Sequence, residues 1–323
     1  MRAVVQARYG GPEVLRMGDR EAPIAGQGEV VVRVAAAGVD AGTVHLVEGR
    51  PALIRAIMPL RGGRVPGGDL AGTVHEVGAE VAGLQRGDEV YGVAEAPDGS
   101  LAEFARVRVS RIAAKPMGLS FAEAAAVPTS ATAALRAVRD AGRTSAGDRV
   151  LVLGAGGGVG HFAVQIAKSL GGSVVAACSA GKAAIARASG ADHVVDYRRE
   201  DPLARGPFDV IIDTGGHRPV RAMRRALSHA GALVVVGSEP EGAPLGGITR
   251  SLGAAMADPF TRQRLVMLSS SEDAEALRDL AALVEAGELW PIIDREFALD
   301  ESAEALRHLG HGAGAAKTVV RVA

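Results

Sequence analysis

The stretch Val150-Leu151-Val152-Leu153-Gly154-Ala155-Gly156-Gly157-Gly158-Val159-Gly160 decides how the rest of the chain is read. Arg149 to Leu153 is a short apolar strand, and residues 161–170 follow the loop with helical texture. A strand that turns into a helix through glycines lets backbone N–H groups approach a pyrophosphate, which the helix N-terminus then favours electrostatically. The strict G-x-G-x-x-G spacing is not met: Ala155, Gly157 and Gly160 hold its three places, with Gly154 in front. Taken alone, such a loop is also compatible with a tight structural turn. The strand before it, the helix after it and a further strand from Ser173 favour cofactor binding through Gly154, Ala155, Gly157, Gly158, Val159 and Gly160.

Downstream, the pattern continues as strand Ser173 to Cys178, helix Lys182 to Ser189, strand Val194-Val195, strand Val210 to Asp213, helix Val220 to Leu227 and strand Ala232 to Gly237. A sixth strand is expected at Arg264 to Leu268. Short, wholly apolar strands alternating with helices predict a parallel sheet covered on both faces, the doubly wound α/β arrangement. An NAD-binding chain usually carries Asp or Glu about 20 residues past the loop, where it bonds the ribose 2′-hydroxyl. Ser179-Ala180-Gly181-Lys182 stands there instead. Ser179 and Lys182 can donate to a 2′-phosphate that a carboxylate would repel, so NADPH is expected; a solvated helix start is the alternative for Lys182. Tyr197 either flanks the adenosine end or is a surface aromatic. Gly215 and Gly237 follow the fourth and fifth strands at the carboxyl edge, where backbone contact with the nicotinamide half is expected.

Upstream, the first 110 or so residues read as short strands separated by turns, at Met1 to Arg8, Glu29 to Ala37, Leu70 to Val77 and Glu89 to Val93. That spacing predicts a small antiparallel barrel or sandwich. Residues 120–140 are alanine-rich and predict one long helix, opened by a Ser120/Glu123 capping box. Amphipathic helices at 272–286 and 302–309 and a last strand at 318–322 resume the style of the first part. Trp290, followed by Pro291, reads as a core anchor. Hydrophobic residues at 48%, charged residues at 23% and a net charge of -1 describe a folded chain with no general field for nucleic acid or anionic membranes. No apolar run reaches a membrane span and the first residues lack an apolar signal core, so the expectation is cytoplasmic. The single cysteine, Cys178, forbids an internal disulfide or a site of several thiolates.

Several segments in order carry a resemblance that covers nearly the whole chain. They are Tyr9-Gly10-Gly11-Pro12-Glu13-Val14-Leu15, Pro66-Gly67-Gly68-Asp69-Leu70-Ala71-Gly72, Gly87-Asp88-Glu89-Val90, Gly99-Ser100-Leu101-Ala102-Glu103-Phe104, the Gly154 to Gly160 loop and Gly190-Ala191-Asp192-His193-Val194. The chain resembles the medium-chain dehydrogenase/reductase superfamily, and within it the quinone oxidoreductases. The resemblance implies a GroES-like β-barrel catalytic domain, expected at 1–121 and 269–323, and a doubly wound Rossmann domain at 122–268. It further implies a cleft where nicotinamide meets substrate, and a homodimer. Where zinc alcohol dehydrogenases of that superfamily carry their catalytic ligands, this chain has Asp40, Gly68 and Pro128, and no cysteine precedes Cys178. No metal is therefore expected; a zinc held by Asp40, Asp69 and His45 would lack the usual ligands.

Without a Lewis acid, oxidation of a plain alcohol is disfavoured. A quinone or an enone spreads incoming charge over several atoms, so hydrogen bonds can stabilise the enolate. The expected function is zinc-independent, NADPH-dependent hydride transfer to such an acceptor. The alternatives are an alcohol dehydrogenase and an NADPH-binding sensor or structural protein. The resemblance places Asp40, Thr43 and His45 on the loop that replaces the first zinc ligands, and Thr129 and Thr132 at the mouth of the alanine-rich helix. His45 can protonate the enolate or be an ordinary loop histidine, water being another proton source. Asp40 can orient His45, bond the nicotinamide ribose or cap its turn. Thr129 and Thr132 can donate to cofactor or substrate, or cap the helix start.

Overall fold

The computed structural model describes residues 1–60, 62–95, 97–216, 218–236, 262–268, 272–310 and 314–322. Fifteen strands are described, in chain order: β1 (Arg2–Gln6), β2 (Leu15–Asp19), β3 (Glu29–Val39), β4 (Asp69–Val77), β5 (Glu89–Val93), β6 (Phe104–Arg108), β7 (Ile112–Ala114), β8 (Arg149–Leu153), β9 (Ser173–Cys178), β10 (His193–Asp196), β11 (Phe208–Asp213), β12 (Leu227–Val235), β13 (Arg264–Met267), β14 (Ile293–Ala298) and β15 (Lys317–Arg321). Contacts divide the chain into two units, Met1–Thr132 with Ser271–Ala323, and Ala133–Ser270. The sequence reading put this change at 121/122; by contacts the first unit runs on to Thr132.

In the first unit the strands are ordered β14-β15-β3-β4-β5-β7, with β6 also paired to β3 and a separate β1-β2 pair. Val30, Val32 and Val34 alternate along β3 and are buried with Leu70, Val74, Val90, Val107 and Ile112. This period of two is what puts one face of a strand into a core. A second cluster joins Ala3, Val4, Val39 and Leu101 to Phe297, Leu299, Leu306 and Val320. Burial of those late apolar residues is why the chain comes back: β15 pairs antiparallel with β3, setting Thr318 opposite Val39.

The second unit is a parallel sheet ordered β10-β9-β8-β11-β12-β13, the 3-2-1-4-5-6 order of a Rossmann sheet. Leu151, Val175, Phe208, Ile211, Met223 and Leu233 share its core. Helix Gly158–Ser169 buries Phe162 and Ile166.

Two expectations are corrected. Residues 120–140 are not one helix: Phe121–Ala125 carries the Ser120/Glu123 capping box, a new helix runs Pro128–Leu135, and a wide π turn follows at Arg136–Ala141. Pro128 has no N–H to continue the first ladder and is tolerated only at a helix start. Trp290 is 43% exposed and does not anchor the core; it lies between the helix Ala274–Glu285 and β14.

Candidate active site

In the second unit the loop after β8 is shaped by close approaches that only glycine permits. Gly154 has a left-handed φ of 81°, and a Cβ on Gly160 would stand 2.1 Å from the Gly154 carbonyl oxygen. Gly157 caps the helix Gly158–Ser169 without a side chain, so the N–H groups of its first turn have no intrahelical acceptor. The Gly154 and Ala155 N–H groups both donate to the Ala177 carbonyl, at 3.0 and 3.1 Å. Ala155, fully buried, thus ties the loop to β9 and offers no donor outward. The donors the loop keeps for an anion are those of Gly158, Val159 and Gly160 at the positive end of the helix dipole.

Ser179 is half-buried just past β9, and the Lys182 N–H donates to its carbonyl at 2.9 Å. A Cβ on Gly156 would meet Lys182 Cβ at 2.5 Å, so this lysine packs on the loop itself. Cys178 stands opposite Asp196 in the sheet, and Tyr197, which follows, donates its N–H to the Cys178 carbonyl at 3.3 Å. Register therefore brings Tyr197 beside Ser179. Arg198, overlooked in the sequence, lies with its guanidinium 5.9 Å from the Tyr197 ring centre, and Asp196 accepts the Arg198 N–H at 3.1 Å. Past β11, the Asp213 carboxylate accepts the N–H groups of Gly215 and Gly216 at 3.2 and 2.9 Å. The Gly215 N–H is thus taken up within its own turn; Gly237 lies outside the described residues.

The first unit holds a cavity of about 530 Å³, lined among others by Asp40, Thr43, Leu46, Met58, Arg64, Asp69, Glu95, Arg111, Thr129 and Glu272. Asp40 caps the helix Ala41–Glu48: one oxygen accepts the Thr43 N–H at 2.8 Å and the Thr43 hydroxyl at 3.0 Å. Asp69, 3% exposed, accepts the Thr129 N–H at 3.1 Å and its hydroxyl at 2.5 Å on Oδ1. Its Oδ2 faces Lys317 Nζ at 3.5 Å, and that buried ammonium donates to Ser130 Oγ at 2.9 Å. Burial pushes the Asp69 carboxyl up to about 7; the Lys317 charge opposes this, Asp40 and Glu272 add to it, and the Thr129 hydrogen bond opposes it. Arg111 bridges Glu95 and Glu272, each at 2.6 Å.

Of the residues expected to act here, Asp40, Thr43 and Thr129 line the cavity. His45 does not, although its neighbour Leu46 does; successive helical residues point about 100° apart. Thr132 is fully buried, does not line the cavity, and its hydroxyl has no hydrogen-bond partner among the described residues. Arg64, Glu95, Arg111, Glu272 and Lys317 were not read from the sequence, because nothing local marks an isolated charged residue as buried. Among the described residues no three His, Cys, Asp or Glu side chains cluster as a metal would require. No described helix is long and apolar enough to cross a membrane.

These features agree with what the chain is similar to. The profile of the alcohol dehydrogenase GroES-like domain matches residues 26–137, and that of zinc-binding dehydrogenases matches 189–320. A 2-methylene-furan-3-one reductase of Solanum lycopersicum is 32% identical over 99% of this chain and 79% of its own length. The quinone oxidoreductase of Coxiella burnetii superposes with a TM-score of 0.87 at 29% identity, covering 100% of this chain and 99% of the other. An NAD-dependent alcohol dehydrogenase superposes at 0.83 with 30% identity, each chain covered in full. The chain belongs to the medium-chain dehydrogenase/reductase superfamily and is an oxidoreductase of that class.

Proposed function

We propose that this chain is a zinc-independent reductase that uses NADPH to transfer hydride to a quinone or an α,β-unsaturated carbonyl compound. The observation that carries the reading is the donor set of the cavity. Gly68 and Pro128, at two of the positions where zinc relatives bind metal, have no side-chain ligand atom. The neighbouring Asp69 has one oxygen held by Thr129 and the other facing Lys317. These residues do not fit a zinc ion. The enone reductase and the quinone oxidoreductase among the similar proteins support the acceptor class.

The loop fits a dinucleotide, since the helix Gly158–Ser169 starts with no side-chain cap and leaves its first N–H groups free for an anion. Gly158, Val159 and Gly160 would hold the pyrophosphate, with Ser179, Lys182 and Arg198 close to a 2′-phosphate. When bound, the reduced nicotinamide supplies the hydride. The chain's own residues position and exclude water. Leu46, Met58, Val65 and Val93 give the acceptor an apolar bed. Asp40 and Asp69 fix the hydroxyls of Thr43 and Thr129, so both present their oxygen lone pairs, not their protons, to the cavity. Neither hydroxyl is therefore the source of the proton that completes the reduction.

The test is absorbance at 340 nm with NADPH and NADH in parallel against quinones, enones, enals and alcohols, with metal analysis of the same preparation. Expected are NADPH oxidation with the conjugated acceptors, preference over NADH and no stoichiometric zinc. Alcohol turnover with one zinc per chain would restore the dehydrogenase reading. Tight NADPH binding with no oxidation by any acceptor would make the chain a nucleotide-binding protein.

A further inference from the structure

Arg64 is an anomaly in the cavity wall. It is 6% exposed, yet no carboxylate pairs with it among the described residues. Its Nε donates to Gln6 Oε1 at 2.9 Å and its Nη2 to the Leu46 carbonyl at 2.6 Å. A guanidinium has five N–H donors. Two are used in these bonds, and three remain. Gln6, fully buried, is itself locked by donating to the Val47 and Arg8 carbonyls at 2.7 and 3.1 Å. The Tyr9 ring centre lies 5.4 Å from the guanidinium carbon. The guanidinium is thus held in place by fixed partners, and Arg64 is part of the cavity wall.

The carboxylates that share the cavity wall are already engaged. Glu95 and Glu272 flank Arg111, Asp40 holds Thr43, and Asp69 faces Lys317. Burial lowers the pKa of the Arg64 guanidinium, and only the Tyr9 phenol acts against this. A buried charge left without a counter-charge is costly, and a bound anion removes that cost. Guanidinium pairs with a carboxylate through two parallel N–H···O bonds.

We propose that the acceptor carries a carboxylate, or another compact anionic group, and that Arg64 is the specificity-determining residue that binds it. This rests on the reductase reading and names its substrate class: a conjugated carbonyl compound with an acidic tail, seated with its apolar body against Leu46 and Met58.

The probe is a 1,4-naphthoquinone with a short carboxyalkyl side chain, compared with its methyl ester, which has the same reducible ring. Two quantities are read for wild type, Arg64→Met and Arg64→Lys: the acid-to-ester ratio of kcat/KM, and the acid-to-ester ratio of Kd by calorimetry in the presence of NADP⁺. Wild type is expected to favour the acid at least tenfold in both. Arg64→Met brings both ratios to about one, and Arg64→Lys keeps part of the preference. A wild-type ratio near one overturns the proposal, whether or not Arg64→Met folds, and so does an unaltered ratio in a folded Arg64→Met. Loss of NADPH affinity in Arg64→Met with the acid preference intact assigns the guanidinium to the cofactor, and also overturns it. Acid-selective binding with no NADPH oxidation leaves the anion site standing and removes the reductase reading. NADPH oxidation with no acid preference does the reverse.

Discussion

Replacing Lys317 by Met tests the charge pair beneath the cavity. The ammonium is 1% exposed and 3.5 Å from Asp69 Oδ2. At that distance two unit charges attract by about 5 kcal/mol for an effective dielectric constant near 20, equivalent to about 3 pH units of acidity. Burial already raises the Asp69 carboxyl from 3.8 to about 7, so the folded protein binds that proton more tightly than the unfolded chain. The stability that protonation confers is therefore whole below pH 3.8 and, in the wild type, is lost as pH rises through 7. Without Lys317 the folded carboxyl moves to about 10, and the loss continues upward. The stability gap between the two proteins should be flat below pH 6. It should widen by about 1.4 kcal/mol for each unit above 7, reaching about 3 kcal/mol at pH 9. Urea unfolding followed by Trp290 fluorescence measures it, since this is the sole tryptophan and lies in the same unit as the pair. Parallel stability curves from pH 5 to pH 9 would show that the two groups are not coupled and would refute the argument.

Three further outcomes follow from named contacts. Gly160→Ala places a Cβ 2.1 Å from the Gly154 oxygen, so the loop must open by ~1 Å to restore ordinary van der Waals contact. NADPH-dependent turnover, read as kcat/KM at 340 nm, should fall about 100-fold, since misplacement by ~1 Å has effects of that order on rate. Lys182→Ala should raise the KM for NADPH about tenfold or more while leaving that for NADH within twofold, because only the former carries the 2′-phosphate; equal effects on both would remove the phosphate role. His45→Gln should keep kcat within about twofold and its pH profile unmoved, as His45 does not line the cavity. A flattened profile would restore it as the proton donor.

The strand, loop and helix from Arg149 to Ser169 were legible because each signal is local: apolar residues for β8, glycines for the close approach and helical texture after it. The same holds for the alternation along β3 and for the Ser120/Glu123 cap. The break at Pro128 was legible in principle, since a proline inside a helical pattern stops the ladder at the residue before it.

What the sequence by itself determined is therefore the two kinds of sheet, the glycine-rich loop between strand and helix and the lack of side-chain ligands at Gly68 and Pro128. These depend on residue type and short spacing. Only the tertiary structure decided the wall of the cavity. Pairing of β15 with β3, and of β3 with β4, brings Lys317 beside Asp69 from the far end of the chain. The isolated bridge between Gln6 and Arg64 sets that arginine where Leu46 can hold it. Whether a charge is buried, and whether it has a partner, depends on which distant strands lie next to each other, and no window of the sequence contains both halves of such a pair.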